Sequence, residues 1–224
     1  MNIIAVSDLH GNLININNQA DILIIAGDWS PLYCQHCYES VIDWMNKRFI
    51  PWMLKQNVAH IIFIPGNHDL VCAYKSFIFD LNKILARYNA VDKIHYLNNS
   101  SIILDNIKFY GTPNNESPRG WAFADPYNCE YNFDKDTDVL ITHQPPMIGN
   151  AGYVSIYNKE LGSRKLRNEI LDSNISINIC GHIHTGEHGE IPVMLNNGMT
   201  SCIYNVSILD EDYLVAFKPT LITL

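Results

Sequence analysis

Five short segments constrain this chain more than anything else in it: Asp8-Leu9-His10, Gly27-Asp28, Gly66-Asn67-His68-Asp69, Thr142-His143 and Gly181-His182-Ile183-His184. Each follows an apolar run of strand length. Together they hold five of the nine histidines, mixed with carboxylate and amide oxygens and free of cysteine. That donor mixture suits a hydrolytic pair of metal ions better than a structural zinc site, which usually recruits thiolates.

The surrounding pattern is α/β. Asn2–Val6, Asp21–Ala26 and Val58–Ile64 read as buried strands. Between the last two, apolar residues at helical spacing predict a helix over about Glu39–Lys55, which Pro51 should break or kink. A second helix is predicted over about Ala73–Tyr88. Ile94–Leu97, Ser101–Leu104 and Ile107–Tyr110 read as short strands joined by Asn98-Asn99 and Asp105-Asn106 turns. A long loop runs from Gly111 to about Asp136. Its aromatics (Trp121, Phe123, Tyr127, Tyr131) predict an ordered loop packed beside a site. Asp138–Thr142 and Ser176–Cys180 read as strands. Between them a helix is predicted over Lys159–Leu171, with Leu161, Leu166 and Ile170 inward. Pro192–Leu195, Cys202–Val206 and Tyr213–Phe217 complete the β content. Ligands of such sheets bind beyond the carboxyl ends of the strands. The five segments lie there, and meet at one edge if the strands share a direction. No linker or repeat divides the chain, and 224 residues suffice for one sizeable core, so residues 1–224 read as a single domain.

Residues two apart in an extended segment face the same way. On that spacing Asp8 and His10 grip one ion, and His182 and His184 present two imidazoles to one place. Asp28 follows a glycine that permits close backbone approach and can bridge both ions. Asn67 adds an amide oxygen and His143 a nitrogen. Two divalent ions, two carboxylates and a bridging hydroxide leave a centre of about +1, which attracts a phosphate anion. Such a pair lowers the pKa of bound water and clamps the phosphoryl oxygens during in-line attack. His68, next to Asn67, should point elsewhere and is the candidate acid for the leaving oxygen. Asp69 either orients His68 or caps the following helix. Arg119 could meet a phosphate and the loop aromatics a nucleobase. The alternative is a loop that packs its own aromatics, with Arg119 in a surface pair. Asn67, His68 and Arg119 are the candidate substrate contacts. His60, His95 and His188, each alone, read as ordinary surface or core residues.

The formal charge of −8 argues against tight non-specific binding to long nucleic acid. The longest apolar runs are strand-sized, so no membrane association is expected. The first strand begins at Asn2 and the first ligand candidate is Asp8. A cleaved leader would remove the site, so a cytoplasmic location with free thiols is the expectation. Cys34-Gln35-His36-Cys37 invites a zinc reading, but no second pair accompanies it. The alternative is the N-terminal segment of a helix with buried thiols.

In these segments the chain resembles the calcineurin-like metallophosphoesterase superfamily over nearly its whole length. The resemblance implies a four-layer αββα sandwich with two metals. It implies that Asp8, His10 and His184 hold the first metal and Asn67, His143 and His182 the second, with Asp28 bridging and His68 near the leaving group. Phosphoprotein phosphatases of the superfamily carry arginines after the Gly-Asp and Asn-His motifs. Here those places read Trp29-Ser30-Pro31 and Asp69-Leu70. Thr142-His143-Gln144-Pro145-Pro146, Gly181-His182-Ile183-His184-Thr185-Gly186 and Tyr204-Asn205-Val206-Ser207 look like the metallophosphoesterase-domain subfamily, which includes phosphodiesterases acting on cyclic nucleotides and other diesters. Gln144 departs from that subfamily's glycine and should narrow the substrate mouth.

The leading expectation is therefore a metal-dependent phosphodiesterase acting on a small phosphodiester, with a cyclic nucleotide as a candidate, by attack of a metal-bridging hydroxide. The alternatives are a phosphomonoesterase or nucleotidase on the same centre, and a non-catalytic protein-binding scaffold of the same fold. The ligand mixture suits manganese, iron, zinc or cobalt, with manganese favoured. The sequence gives no reading of oligomeric state.

Overall fold

The computed structural model describes residues 1–224. In chain order the elements are β1 (Asn2–Val6), β2 (Ile22–Ala26), α1 (Tyr38–Trp44), α2 (Ile50–Leu54), β3 (His60–Ile64), α3 (Phe77–Arg87), β4 (Ile94–Tyr96), β5 (Ser100–Leu104), β6 (Ile107–Thr112), β7 (Val139–Thr142), β8 (Tyr153–Val154), β9 (Lys159–Glu160), α4 (Arg164–Leu171), β10 (Ile177–Cys180), β11 (Ile191–Met194), β12 (Thr200–Asn205) and β13 (Thr220–Thr223). One sheet has the order β13-β1-β2-β3-β4 and the other β11-β12-β10-β7-β6-β5, with β8-β9 a separate hairpin. Strands β1 to β4 run parallel, with β4 at the sheet edge, as do β6, β7, β10 and β12. The antiparallel strands β13, β5 and β11 lie at the sheet edges.

The period of two along each strand divides the side chains between two cores. Ile3, Ala5, Ile22, Ile24, Ile62 and Ile64 turn inward and meet Val139, Ile141, Ile177, Ile179 and Phe109 of the second sheet. The alternate residues Ile4, Val6, Leu23, Ile25, Ile61 and Phe63 turn outward against α1 to α3. On the far side, Leu140, Cys180 and Ile203 pack on Leu166 and Ile170 of α4. Helices, sheet, sheet and helix form the expected αββα sandwich. Strands buried on both faces explain the near-continuous apolar runs in the sequence.

Some expectations need correction. Pro51 does not break the first helical run. Between α1 and α2, Met45–Phe49 forms a π-turn in which the Ile50 N–H donates to the Met45 carbonyl. The wider turn takes up the lost proline donor and the ring's clash with the preceding turn. The helix expected from Ala73 is shorter, beginning at Phe77 after a 3-10 turn over Leu70–Ala73. The helix expected from Lys159 starts only at Arg164, where the Ser163 hydroxyl accepts the Leu166 N–H at 3.0 Å. Lys159 and Glu160 belong instead to the β8-β9 hairpin, and Leu161 is 36% exposed rather than inward. Tyr213–Phe217 is not a strand: Asp210 Oδ1 accepts the Asp212 and Leu214 N–H groups and closes a turn there. The closing strand is β13, which pairs with β1. No helix is long and apolar enough to cross a membrane.

Candidate metal centre

Parallel strands bring all five segments to one edge. Backbone bonds lace them together: Asp8 N–H to Gly27 O at 3.0 Å, His10 N–H to Asp28 O at 2.9 Å, and Gly181 N–H to His143 O at 2.9 Å. The His182 N–H donates to Asp8 Oδ2 at 3.0 Å, tying the second sheet to the first. Asp8, His10, Asp28 and His182 take φ values of 56, 41, 52 and 69°. These donors are therefore held in left-handed turns, a costly backbone state for non-glycine residues that gathers at functional sites. The extended spacing assumed from the sequence does not apply. One consequence is that His182 and His184 do not serve one place.

Instead, Asp8, His10 and His184 bring donor atoms within 4.8 Å of one another, and Asp28, His143 and His182 do the same. Asp28 stands between the two groups. Its Oδ2 lies 3.2 Å from His143 Nε2 and 3.7 Å from His10 Nε2. Asn67 Oδ1 is 2.9 Å from His143 Nε2. His184 Nε2 is 3.5 Å from Asp8 Oδ1. Backbone carbonyls fix the tautomers. His143 Nδ1–H donates to Ala26 O at 3.0 Å and His184 Nδ1–H to Asp210 O at 2.8 Å, leaving both Nε2 atoms for the centre. Gly27, at φ +97°, is required: a Cβ there would overlap the His143 ring.

The electrostatics fit cations. Burial raises Asp8 and Asp28, but His184 and His143 respectively reverse this and hold the carboxyls far below their usual range. Burial lowers His143 and His184, yet the carboxylates outweigh it and push both to about 9. Burial dominates at His10 and His182, which fall to about 4. His10 has both ring nitrogens buried without a hydrogen-bond partner. A buried unpaired nitrogen costs about 1–3 kcal/mol. An imidazole that stays neutral, unpaired and aimed at a carboxylate is suited to a metal ion.

His68 faces the same centre rather than away from it, with a donor atom within 4.8 Å of His10 and Asp28. Its Nδ1–H donates to Gln35 Oε1 at 2.8 Å, and its ring lies 4.3 Å from that of Trp121. Burial lowers its pKa. Asp69 neither orients His68 nor caps the next turn. Its carboxylate accepts from Gly66 N–H (2.7 Å), Ser30 N–H (2.9 Å) and Ser30 Oγ–H (2.6 Å), binding the Gly27 and Gly66 loops to each other. Burial, with the nearby Asp28 charge, raises it to about 7 against these donors. Arg119 is exposed and sits over the Tyr127 ring at 5.6 Å, outside the cleft over the centre. Gln144 does not narrow the mouth. It is buried, accepting from Glu116 N–H at 2.7 Å and Tyr131 O–H at 2.9 Å.

Two residues of the site were not singled out in the sequence. Gln35 lies inside the segment weighed for zinc, ahead of α1; Cys37 is exposed and Cys34 half-buried, so the thiols are not buried. Tyr213 lies in the stretch read as a strand. Its ring is 5.1 Å from His10 and 5.2 Å from His184, at φ 60°. Gln35 carried no separate sequence signal, and nothing local marks a lone tyrosine 29 residues beyond His184 in the numbering.

The sequence model for calcineurin-like phosphoesterases matches residues 1–186. This chain belongs to the calcineurin-like phosphoesterase family. It is thereby one of the metal-dependent phosphoester hydrolases. Human metallophosphoesterase domain-containing protein 1 is 26% identical over 99% of this chain and 70% of its own length. A Caenorhabditis elegans UPF0046 protein is 27% identical over 91% and 68%. A probable rhamnogalacturonate lyase C of Emericella nidulans is 28% identical over 84% of this chain, a match that spans only 18% of the lyase.

Proposed function

We propose that this protein hydrolyses a small phosphodiester at a centre of two divalent ions. Asp8, His10 and His184 hold one ion, and Asn67, His143 and His182 the other. Asp28 is shared. Its position between the two donor groups is the observation that carries this reading. Bound there, the ions supply a water of lowered pKa and a clamp on the phosphoryl oxygens. Imidazole with carboxylate suits manganese, iron, zinc or cobalt, and manganese is our choice.

The chain's own groups do the rest. Gln35 holds the Nδ1 proton of His68, so Nε2 is left to face a substrate oxygen. Burial keeps this ring neutral at rest, and a phosphoryl anion beside it favours the imidazolium that can protonate the leaving oxygen. A cleft of about 370 Å³ opens over His10, Asp28, His68 and His184. That size suits a small ligand such as a cyclic nucleotide. No lysine or arginine lines it, so apart from His68 the protein offers no cation for the second charge of a phosphomonoester dianion. This favours a diester.

We read residues 1–224 as one such domain. We place it in the cytoplasm, where the six unpaired cysteines fit a reducing compartment. The test compares bis-p-nitrophenyl phosphate with p-nitrophenyl phosphate on manganese-loaded protein. Higher kcat/KM on the diester is expected. A preference for the monoester contradicts the reading.

A further inference from the structure

The β8-β9 hairpin is the least expected wall of the cleft. Val154, Ile156, Tyr157 and Leu161 line it on that side, with Tyr213 also in the lining. The hairpin is not a loose flap. Leu161 N–H donates to Gly152 O at 2.8 Å and Gly162 N–H to Glu160 Oε1 at 2.9 Å. Tyr153 O–H donates to Asn158 Oδ1 at 2.6 Å across the tip, where Asn158 takes φ 48°. The Glu187 N–H donates to Asn150 O at 2.8 Å, fixing the base of the hairpin to the loop that carries His182 and His184. A pinned hairpin thus presents apolar side chains at a set place beside the donor groups. Yet Ile156 and Tyr157 remain 66% and 67% exposed. Apolar side chains grouped in a cleft and rimmed by polar residues are a surface that ligand-binding grooves use. The remaining charge in the lining, beyond the candidate metal ligands, is the carboxylate of Glu211, which repels further phosphates.

We infer that this hairpin selects the substrate: a diester with one phosphoryl group whose retained ester group is apolar and aromatic. The inference rests on the phosphodiesterase reading. The phosphoryl group lies over the donor residues, and the ring of the ester replaces water on Ile156 and Tyr157. Apolar burial there strengthens binding of that ester group, and it does not touch the bond that breaks. Nucleotides with a chain of phosphates are disfavoured, because the lining adds the Glu211 carboxylate and no lysine or arginine.

The test holds the leaving group constant. Phenyl p-nitrophenyl phosphate and methyl p-nitrophenyl phosphate both release p-nitrophenol and differ only in the retained ester group. On manganese-loaded wild type, kcat/KM for the phenyl ester should exceed that for the methyl ester. In Ile156→Ser/Tyr157→Ser that ratio should fall about tenfold, equivalent to about 1.4 kcal/mol. The ratio is independent of the fraction of protein that is active, and both positions are exposed, so a partly folded variant does not mimic the effect. Calorimetry gives a readout without turnover: diphenyl phosphate should bind more tightly than dimethyl phosphate, and the double variant should remove the difference. A phenyl-to-methyl ratio unchanged in the double variant overturns the inference and leaves the phosphodiesterase reading standing. Failure to hydrolyse either ester overturns both.

Discussion

Asp28 is the residue on which the two donor groups meet. Its Oδ1 is occupied by the His68 N–H at 2.8 Å, which orients the carboxylate so that Oδ2 reaches toward His143 and His10. Asp28→Asn keeps the shape and removes the charge. Turnover should fall by about 10³-fold or more, with weakened metal loading, because a neutral amide cannot offset two cations. Turnover within tenfold of wild type would count against the shared-ligand role. His68→Ala should retain both ions by metal analysis while slowing hydrolysis by about 10²–10⁴-fold, most for poor leaving groups. Equal rates on an alkyl diester would remove its acid role. Gln35→Ala leaves the ring in place but frees its Nδ1 proton. A loss of about 10–100-fold is expected, the usual scale for a partner that orients a functional histidine. A purely structural Gln35 would leave the pH–rate profile of the remaining activity unmoved, whereas this account requires a shift.

At the scale of elements, the site depends on where strands stop. Two residues beyond the ends of β1, β2 and β10 the chain reaches a donor held at positive φ: Asp8, Asp28 and His182. Gly27→Ala should therefore destabilise the protein by more than the about 1–2 kcal/mol of a left-handed alanine, since its Cβ also meets the His143 ring. Thermal melting reads the stability and metal analysis the accompanying loss of the ion held by His143. A variant with unchanged melting and full metal loading would contradict this packing account. The strands themselves were legible, because doubly buried strands leave unbroken apolar runs. The donor segments were legible because their residue types are rare together. Their geometry was not: the period-two argument fails wherever φ turns positive, and it turned His182 and His184 toward the same place. The Leu161 expectation failed because Leu161 lies ahead of Ser163, which caps the helix and sets its start at Arg164. Tyr213 and Gln35 join the site through tertiary contacts that local pattern does not encode. Asp69 had the right place in sequence but a different task, holding two loops together.

For the whole molecule, two sheets contribute ligands to one centre, so metal binding and folding are linked. Manganese at about 100 times its Kd should stabilise by about 2.7 kcal/mol per site. The gain depends on pH. His143 and His184 stand at about 9 in the metal-free fold, above the unfolded value near 6.5. Their contribution is complete below about pH 6.5 and is lost as pH rises through about 9. Metal binding replaces those protons, so the gap in melting temperature between loaded and metal-free protein should widen from pH 6.5 to 9. A gap that stays constant across that range would mean these two imidazoles are not ligands. The most direct measurement is electron paramagnetic resonance of the manganese-loaded chain with metal counted on the same sample. A pair of ions bridged by Asp28 predicts two manganese per chain and a spin-coupled spectrum, lost in Asp28→Asn. One manganese per chain, or two with the spectrum of isolated ions, would contradict the account.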